Sequence, residues 1–351
     1  MIDARKLEHI LISLEKDIQS RTSNSFEDIT LVHRALPEVD KGEIDLSTDF
    51  FGREIGAPLF IAGMTGGHEK AKEINKNLAL AAQELNIPMG VGSQRAAIED
   101  GSLAHTYSIA REVAPEVFLI ANLGAVQFSK GYGVEEAKAA IDMIRADALA
   151  IHLNPLQEAI MHRGDVGFRG CLEELRKLKV DVPLIAKETG AGIAREEAML
   201  LEKAGFSGID VGGLGGTSFS AVEHYRKGNL GKTFWDWGIP TAISTIECLE
   251  GTNLKVMATG GIRSGIEVAK ALALGAKACG IALPLLKRAV KGYEDVVEEL
   301  RRIIEELRTA LFLVGAEDIQ GLRDCNLLIG GRTREWLEAR GIDCRKYANR
   351  R

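Results

Sequence analysis

The stretch HLNPLQE places His152, Asn154, Gln157 and Glu158 within seven residues, directly after the apolar run ADALAI. A histidine can hold or take a proton, amides can orient a substrate, and a carboxylate can bind a hard cation. A solvated loop collects the same residue types. The stretch therefore gains meaning only from where the fold sets it. His152 and Asn154 stand two apart and would share one face of an extended chain, with Gln157 and Glu158 expected on the loop beyond.

Other residues invite the same question. Lys187 ends the apolar run PLIAKE, where its charge must be paired or solvated. It could form a Schiff base, stand as a cation beside an electron-rich ring, or snorkel at a rim. VGGLGGTSF (211–219) and ATGGIRSG (258–265) are glycine-rich turns. Glycine lets main-chain N–H groups approach an anion, and a following helix N-terminus adds positive potential. Arg5 and Lys6 open the chain, and Arg95 follows GSQ. Together these three could form the cluster that a diphosphate needs.

The elements that must position these residues are legible as eight β-like runs. They are APLFIAGM (57–64), PMGVGS (88–93), FLIANLG (118–124), ALAIHLN (148–154), PLIAKE (183–188), GIDVGG (208–213), KVMATGG (255–261) and CGIALP (279–284). Each is continuously apolar, as parallel strands covered on both faces should be. Amphipathic segments lie between them, at 68–85, 134–146, 195–205 and 264–275, with Gly205 and Gly275 at helix-stop positions. Alternating strands and helices of this number predict a TIM (β/α)8 barrel. A doubly wound open sheet would need a GxGxxG turn after an early strand, and the sequence has none. Residues 1–56 read as an N-terminal extension carrying the basic residues, 57–290 as the barrel, and 291–351 as a C-terminal helical tail packed on it. No second hydrophobic core is evident in the pattern.

Barrel chemistry sits at the C-terminal ends of the strands. Those ends carry Met64-Thr65, Ser93-Gln94-Arg95, Asn122, His152 with Asn154, Lys187, Gly212-Gly213 before Thr217, Gly260-Gly261 before Arg263, and Ala282-Leu283 before Pro284. The loops after the seventh and eighth strands are a frequent phosphate site. A phosphate there and a lysine across the mouth fit flavin mononucleotide, whose anionic reduced ring Lys187 could stabilise.

Composition narrows the remaining classes. The 351 residues are 46% hydrophobic with a net charge of −6, which argues against general nucleic-acid binding. No apolar run approaches the ~20 residues of a membrane span, and MIDARKLEHI has no signal-peptide core. The five cysteines include no CxxC pair, as expected for reduced thiols in a cytoplasmic protein.

The motifs ARKLEHI, HRALPE, APLFIAGMTGG, GVGSQRAAIED, HLNPLQE, KETGAGI, GGTSF, FWDWGIPTA and ATGGIRSG, in this order from residue 5 to residue 286, resemble the type 2 isopentenyl-diphosphate isomerases. GSQR with HxNxxQE is the specific part, whereas GGIR recurs in many FMN barrels. The resemblance implies a barrel that interconverts isopentenyl and dimethylallyl diphosphate with reduced FMN, Mg²⁺, and NADPH as flavin reductant. It implies that Met64, Thr65, Ser93, Asn122, Lys187, Thr217, Gly261, Arg263, Ala282 and Leu283 line FMN. Arg5, Lys6, Ser93, Arg95, His152, Asn154 and Gln157 would bind substrate, and Glu158 would hold Mg²⁺. Gln157, His152 and Lys187 are the expected catalytic groups, and a homo-oligomer, a tetramer or octamer, is expected. Two other readings are an FMN-dependent 2-hydroxy-acid oxidase or dehydrogenase, and a non-catalytic flavin-binding barrel. The first wants a histidine base and an arginine clamp near the sixth strand's loop, and VGGLGGTSF offers neither.

Overall fold

The computed structural model describes residues 2–226 and 230–350, with the side chains of residues 2–5 outside the described set. Eight parallel strands close into a barrel: β1 (Leu59–Ile61), β2 (Met89–Gly90), β3 (Leu119–Gly124), β4 (Ala148–Leu153), β5 (Leu184–Glu188), β6 (Gly208–Asp210), β7 (Lys255–Thr259) and β8 (Ala278–Ile281). β8 pairs with β1 to complete the ring. Every expected run supplies one strand, because a strand sandwiched between a barrel interior and a helical layer must be apolar on both faces. The helices fall on the amphipathic segments. Ser264 accepts from the Glu267 N–H and so starts the helix Gly265–Leu274, while Gly275 ends it at φ +123°.

The core divides into two clusters within this one fold, where the sequence suggested a single one. The larger lies between strands and helices. The smaller fills the barrel with Phe60, Phe118, Ile120, Ile185 and Met257. It is closed by an antiparallel hairpin, Thr48–Phe50 with Arg53–Ile55, which buries Phe50 and Ile55 against it. Phe50 meets Phe118 edge to face with ring centroids 5.1 Å apart. This hairpin stoppers the end of the barrel opposite the polar strand ends.

The N-terminal segment has structure that its sequence did not announce. Its first helix, α1 (Ile2–Glu15), faces the barrel mouth. The strand Ile29–Leu31 pairs antiparallel with Leu327–Ile329 near the C-terminus, a pairing across nearly the whole chain that no local pattern encodes. Gln157 and Glu158 also differ from expectation. They lie on a helix, α2 (Pro155–Ile160), rather than on a loop. Pro155 at the first helical position has its φ already set for a helix, and the element is too short to show a 3.6-residue period. Beyond β6, α3 (Phe219–Arg226) packs on α1 and α2. The tail helix α4 (Tyr293–Val314) packs on Gly265–Leu274 and Glu69–Leu85.

Candidate active site

The strand register assembles a polar row across the mouth. Gly124 of β3 stands beside His152 of β4, His152 beside Lys187 of β5, and Lys187 beside Asp210 of β6. Lys187 Nζ donates to Asp210 Oδ2 at 2.8 Å, with side chains 13% and 3% exposed. Asp210 Oδ1 also accepts from the Thr259 hydroxyl on β7. The lysine is therefore a partnered cation facing a cavity. His152 Nδ1 lies 2.8 Å from Asn122 Oδ1, while the Asn122 amide nitrogen donates to the Val91 carbonyl. That assigns the proton to Nδ1 and leaves a lone pair on Nε2. Burial, then the charges of Lys6 and Lys187, push the His152 pKa down to about 3. At neutral pH the ring is uncharged.

α2 gathers the rest of HLNPLQE onto one face. Asn154 precedes the helix, and its amide nitrogen donates to Glu158 Oε1 at 3.0 Å and to Gln157 Oε1 at 3.3 Å. These are the i, i+4 and i, i+3 neighbours that a helix provides. Glu158 Oε2 accepts the Asp165 main-chain N–H at 2.7 Å. The Asn154 carbonyl oxygen Oδ1 is buried with no hydrogen-bond partner, which normally costs about 1–3 kcal/mol. An unpaired amide oxygen beside a carboxylate is an oxygen donor set for a hard cation. Among the described residues no three His, Cys, Asp or Glu side chains converge. A single protein carboxylate fits Mg²⁺, which usually completes its shell with water and substrate phosphates.

One cavity of about 260 Å³ joins these groups. Its lining includes Met64 and Thr65 after β1, Ser93 and Arg95 after β2, and Asn122 on β3. His152, Asn154, Gln157, Glu158 and Lys187 follow around the ring. Thr217, Gly261, Arg263, Ala282 and Leu283 line the far side, and Lys6 reaches in from α1. Every expected site residue with a described side chain thus borders the same space. Arg5 is in α1, but its side chain lies outside the described set. Lys6 Nζ donates to the Ser93 carbonyl at 3.3 Å. Arg95 is held by Glu99 at 2.6 Å and Asp165 at 3.0 Å.

The two glycine-rich loops press main chain against main chain. Gly261 has φ +78°, and a Cβ there would fall 2.2 Å from the Gly215 carbonyl oxygen. One on Gly216 would fall 2.4 Å from the Gly261 nitrogen. No other residue type permits this approach. Thr217 and Arg263 both line the mouth beyond these loops, where Pro284 in the first turn of Leu283–Ala289 also opens a helix. This bare main-chain cradle with one cation suits the phosphate of FMN.

Four participants escaped the sequence reading. His9 on α1 lines the cavity and its Nε2 lies 3.1 Å from Glu223 Oε1. Glu223 on α3 is 2% exposed and also takes Arg226 at 2.6 Å and the Gln157 amide at 3.4 Å. Burial pushes its carboxyl up, but His9 and then Arg226 together hold it below the usual range. Asp210 was visible as an acid in an apolar strand, the same signal that marked Lys187. Glu188 gathers the main-chain N–H groups of Thr189, Gly190, Ala191 and Gly192 on Oε2. Burial still raises its carboxyl to about 7.

Comparison with known proteins places the chain. The pattern of the FMN-dependent dehydrogenase family matches residues 13–108 and 155–328. An isopentenyl-diphosphate delta-isomerase of Thermococcus kodakarensis is 56% identical, across 99% of this chain and 96% of its own. That of Methanothermobacter thermautotrophicus is 50% identical across the whole of both. Among solved structures, a mandelate oxidase with benzoyl-formic acid superimposes with a TM-score of 0.63 at 20% identity, covering 94% of this chain and 99% of its own, which speaks to the fold alone. On the strength of the near relatives, this chain belongs to the type 2, FMN-dependent isopentenyl-diphosphate delta-isomerases.

Proposed function

We propose that the protein interconverts isopentenyl diphosphate and dimethylallyl diphosphate by a 1,3-allylic proton rearrangement. A proton is added to one alkene carbon and another is removed two carbons away, with no net oxidation. The observation that carries this reading is the cavity of about 260 Å³ at the strand ends. It is lined at one side by the glycine-rich loops with Thr217 and Arg263, suited to one phosphate, and at another by Lys6, Arg95 and Glu158, which would anchor a diphosphate with its metal.

The geometry supports the following roles. Thr217, Gly261, Arg263, Ala282 and Leu283 would hold the FMN phosphate, with Met64, Thr65, Ser93, Asn122 and Lys187 along the ring. When bound and reduced, FMN supplies an electron-rich surface for a developing cation and a proton-bearing N5. Lys187, fixed by Asp210, is suited to an anionic ring. Arg5, Lys6 and Arg95 would take the diphosphate, and Glu158 with the Asn154 carbonyl oxygen would hold Mg²⁺. His152 is neutral and positions substrate through Nε2. Gln157 carries no titrating group and is tied to Glu223, so it orients the hydrocarbon end or passes a proton between partners. NADPH is the proposed reductant. The protein is proposed to be cytoplasmic, supported by five buried, reduced cysteines, and to form a tetramer or octamer, supported by exposed Leu36, Val166 and Trp237. Residues 1–56 would act as a substrate-binding cover on the 57–290 barrel, and 291–351 as its outer brace.

The 2-hydroxy-acid oxidase reading lacks its base. His224, the histidine nearest in sequence to the sixth loop, sits on α3 with its ring against Tyr225 and Trp235. Anaerobic incubation with either C5 diphosphate tests the proposal. Formation of the other isomer supports it, and lactate or mandelate oxidation without isomerisation overturns it.

A further inference from the structure

Behind Arg95 lies a set of charges that the proposed reaction does not use. Asp165 Oδ2 accepts from Arg95 Nη1 at 3.0 Å, and Asp165 Oδ1 accepts from Lys130 Nζ. Glu99 takes Arg95 Nε at 2.6 Å. Two cations thus face two carboxylates, and of the four only Arg95 borders the cavity. The main-chain N–H of Asp165 meanwhile seats Glu158 Oε2. The turn that delivers it is specific: Arg163 has φ +58°, and a Cβ on Gly164 would fall 2.0 Å from the Glu158 carbonyl oxygen. One residue therefore touches the diphosphate arginine with its side chain and the metal carboxylate with its backbone.

We propose that Asp165 makes diphosphate recognition depend on the metal. This inference rests on the proposed C5 diphosphate site and deepens it. Glu99 and Asp165 largely neutralise Arg95 and Lys130, so the arginine offers directed N–H donors with little net positive field. A bare diphosphate brings several negative charges to such a wall and is poorly compensated. A diphosphate carrying Mg²⁺ brings its own compensation, and Glu158 can share the metal. The cluster selects the metal complex over the free anion, because the carboxylates behind Arg95 repel uncompensated charge.

Asp165→Asn separates the effects, since the side-chain charge disappears while the main-chain N–H to Glu158 remains. The probe is inorganic diphosphate, titrated calorimetrically into the FMN-loaded protein in Mg²⁺ and in EDTA. Wild type should bind tightly in Mg²⁺ and weakly in EDTA. Asp165→Asn should bind in EDTA about tenfold tighter at low ionic strength, shrinking the Mg²⁺-to-EDTA affinity ratio by a similar factor. Asp165→Glu should restore the ratio. Lys130→Met, at an exposed position outside the cavity, should move it the other way by leaving Asp165 less compensated. A purely structural loop staple would lower the melting temperature of Asp165→Asn without moving the ratio. An unchanged or larger ratio in Asp165→Asn, or a smaller one in Lys130→Met, overturns the inference while leaving the isomerase reading intact. Absence of binding to wild type in Mg²⁺ overturns the inference and the diphosphate anchor it rests on, while turnover of the C5 diphosphates tests the isomerase reading separately.

Discussion

Removing Asp210 should uncouple the lysine of the polar row from its support. In Asp210→Ala the Lys187 ammonium, 13% exposed, loses a carboxylate at 2.8 Å, and the Thr259 hydroxyl loses its acceptor. Breaking a buried pair from one side costs about 3–5 kcal/mol because the remaining charge is stranded. Lys187 faces a cavity that water can enter, which favours the lower end, about 3 kcal/mol. For 351 residues the unfolding entropy scales to about 0.7 kcal/mol/K, so the melting temperature should fall by about 4 °C. Lys187→Met alone strands a 3%-exposed carboxylate and should cost as much or more. The double variant should cost about as much as one single variant rather than their sum, giving a coupling of about 3 kcal/mol in the cycle. Differential scanning fluorimetry of all four proteins, each saturated with FMN, measures it. Additive losses would show that the pair is not coupled and that Asp210 does not set the position of Lys187.

Glu158→Gln should lower activity by about 10²-fold and raise the Mg²⁺ concentration for half-maximal rate, whereas Gln157→Ala should lower kcat with Mg²⁺ dependence unchanged. Magnesium titration of both variants decides between them. His152, pushed down to about 3, should stay neutral in the folded protein across pH 5–8. Because its folded pKa lies below the unfolded value near 6.5, its contribution to stability is full above that value and declines as pH falls toward 3. His152 imidazole resonances, assigned by their loss in His152→Gln, that titrate near pH 6.5 in the folded protein would refute this. Thr217→Ala and Arg263→Ala should each weaken retention of the cofactor, which on release should be FMN, as chromatography of the released flavin will show.

The eight strands were legible because burial on both faces leaves a mark in the sequence itself, a continuous apolar run ended by glycine or a polar residue. Gly275 announced the end of its helix, as its positive φ bears out. The site was legible where a residue offended its local surroundings, as Lys187 did. Asp210 offended equally, yet its meaning lay in the β5–β6 register that sets it beside Lys187. Glu223 and His9 gave no such signal. Each sits in an ordinary amphipathic segment, and they meet only because α1 and α3 pack together over the mouth. The pairing of Ile29–Leu31 with Leu327–Ile329 is equally silent, since three-residue strands carry too little periodicity to name a partner. The short helix α2 was missed for the same reason, and with it the fact that Asn154, Gln157 and Glu158 share a face.

The most direct test of the account is a product assay without air. Protein loaded with FMN, Mg²⁺ and NADPH is incubated with isopentenyl diphosphate in deuterated water, and the products are followed by NMR. The account predicts dimethylallyl diphosphate carrying solvent deuterium, many turnovers for each NADPH consumed, and loss of the reaction when FMN is removed. Stoichiometric NADPH consumption, or no conversion by the fully reduced holoenzyme, would contradict it.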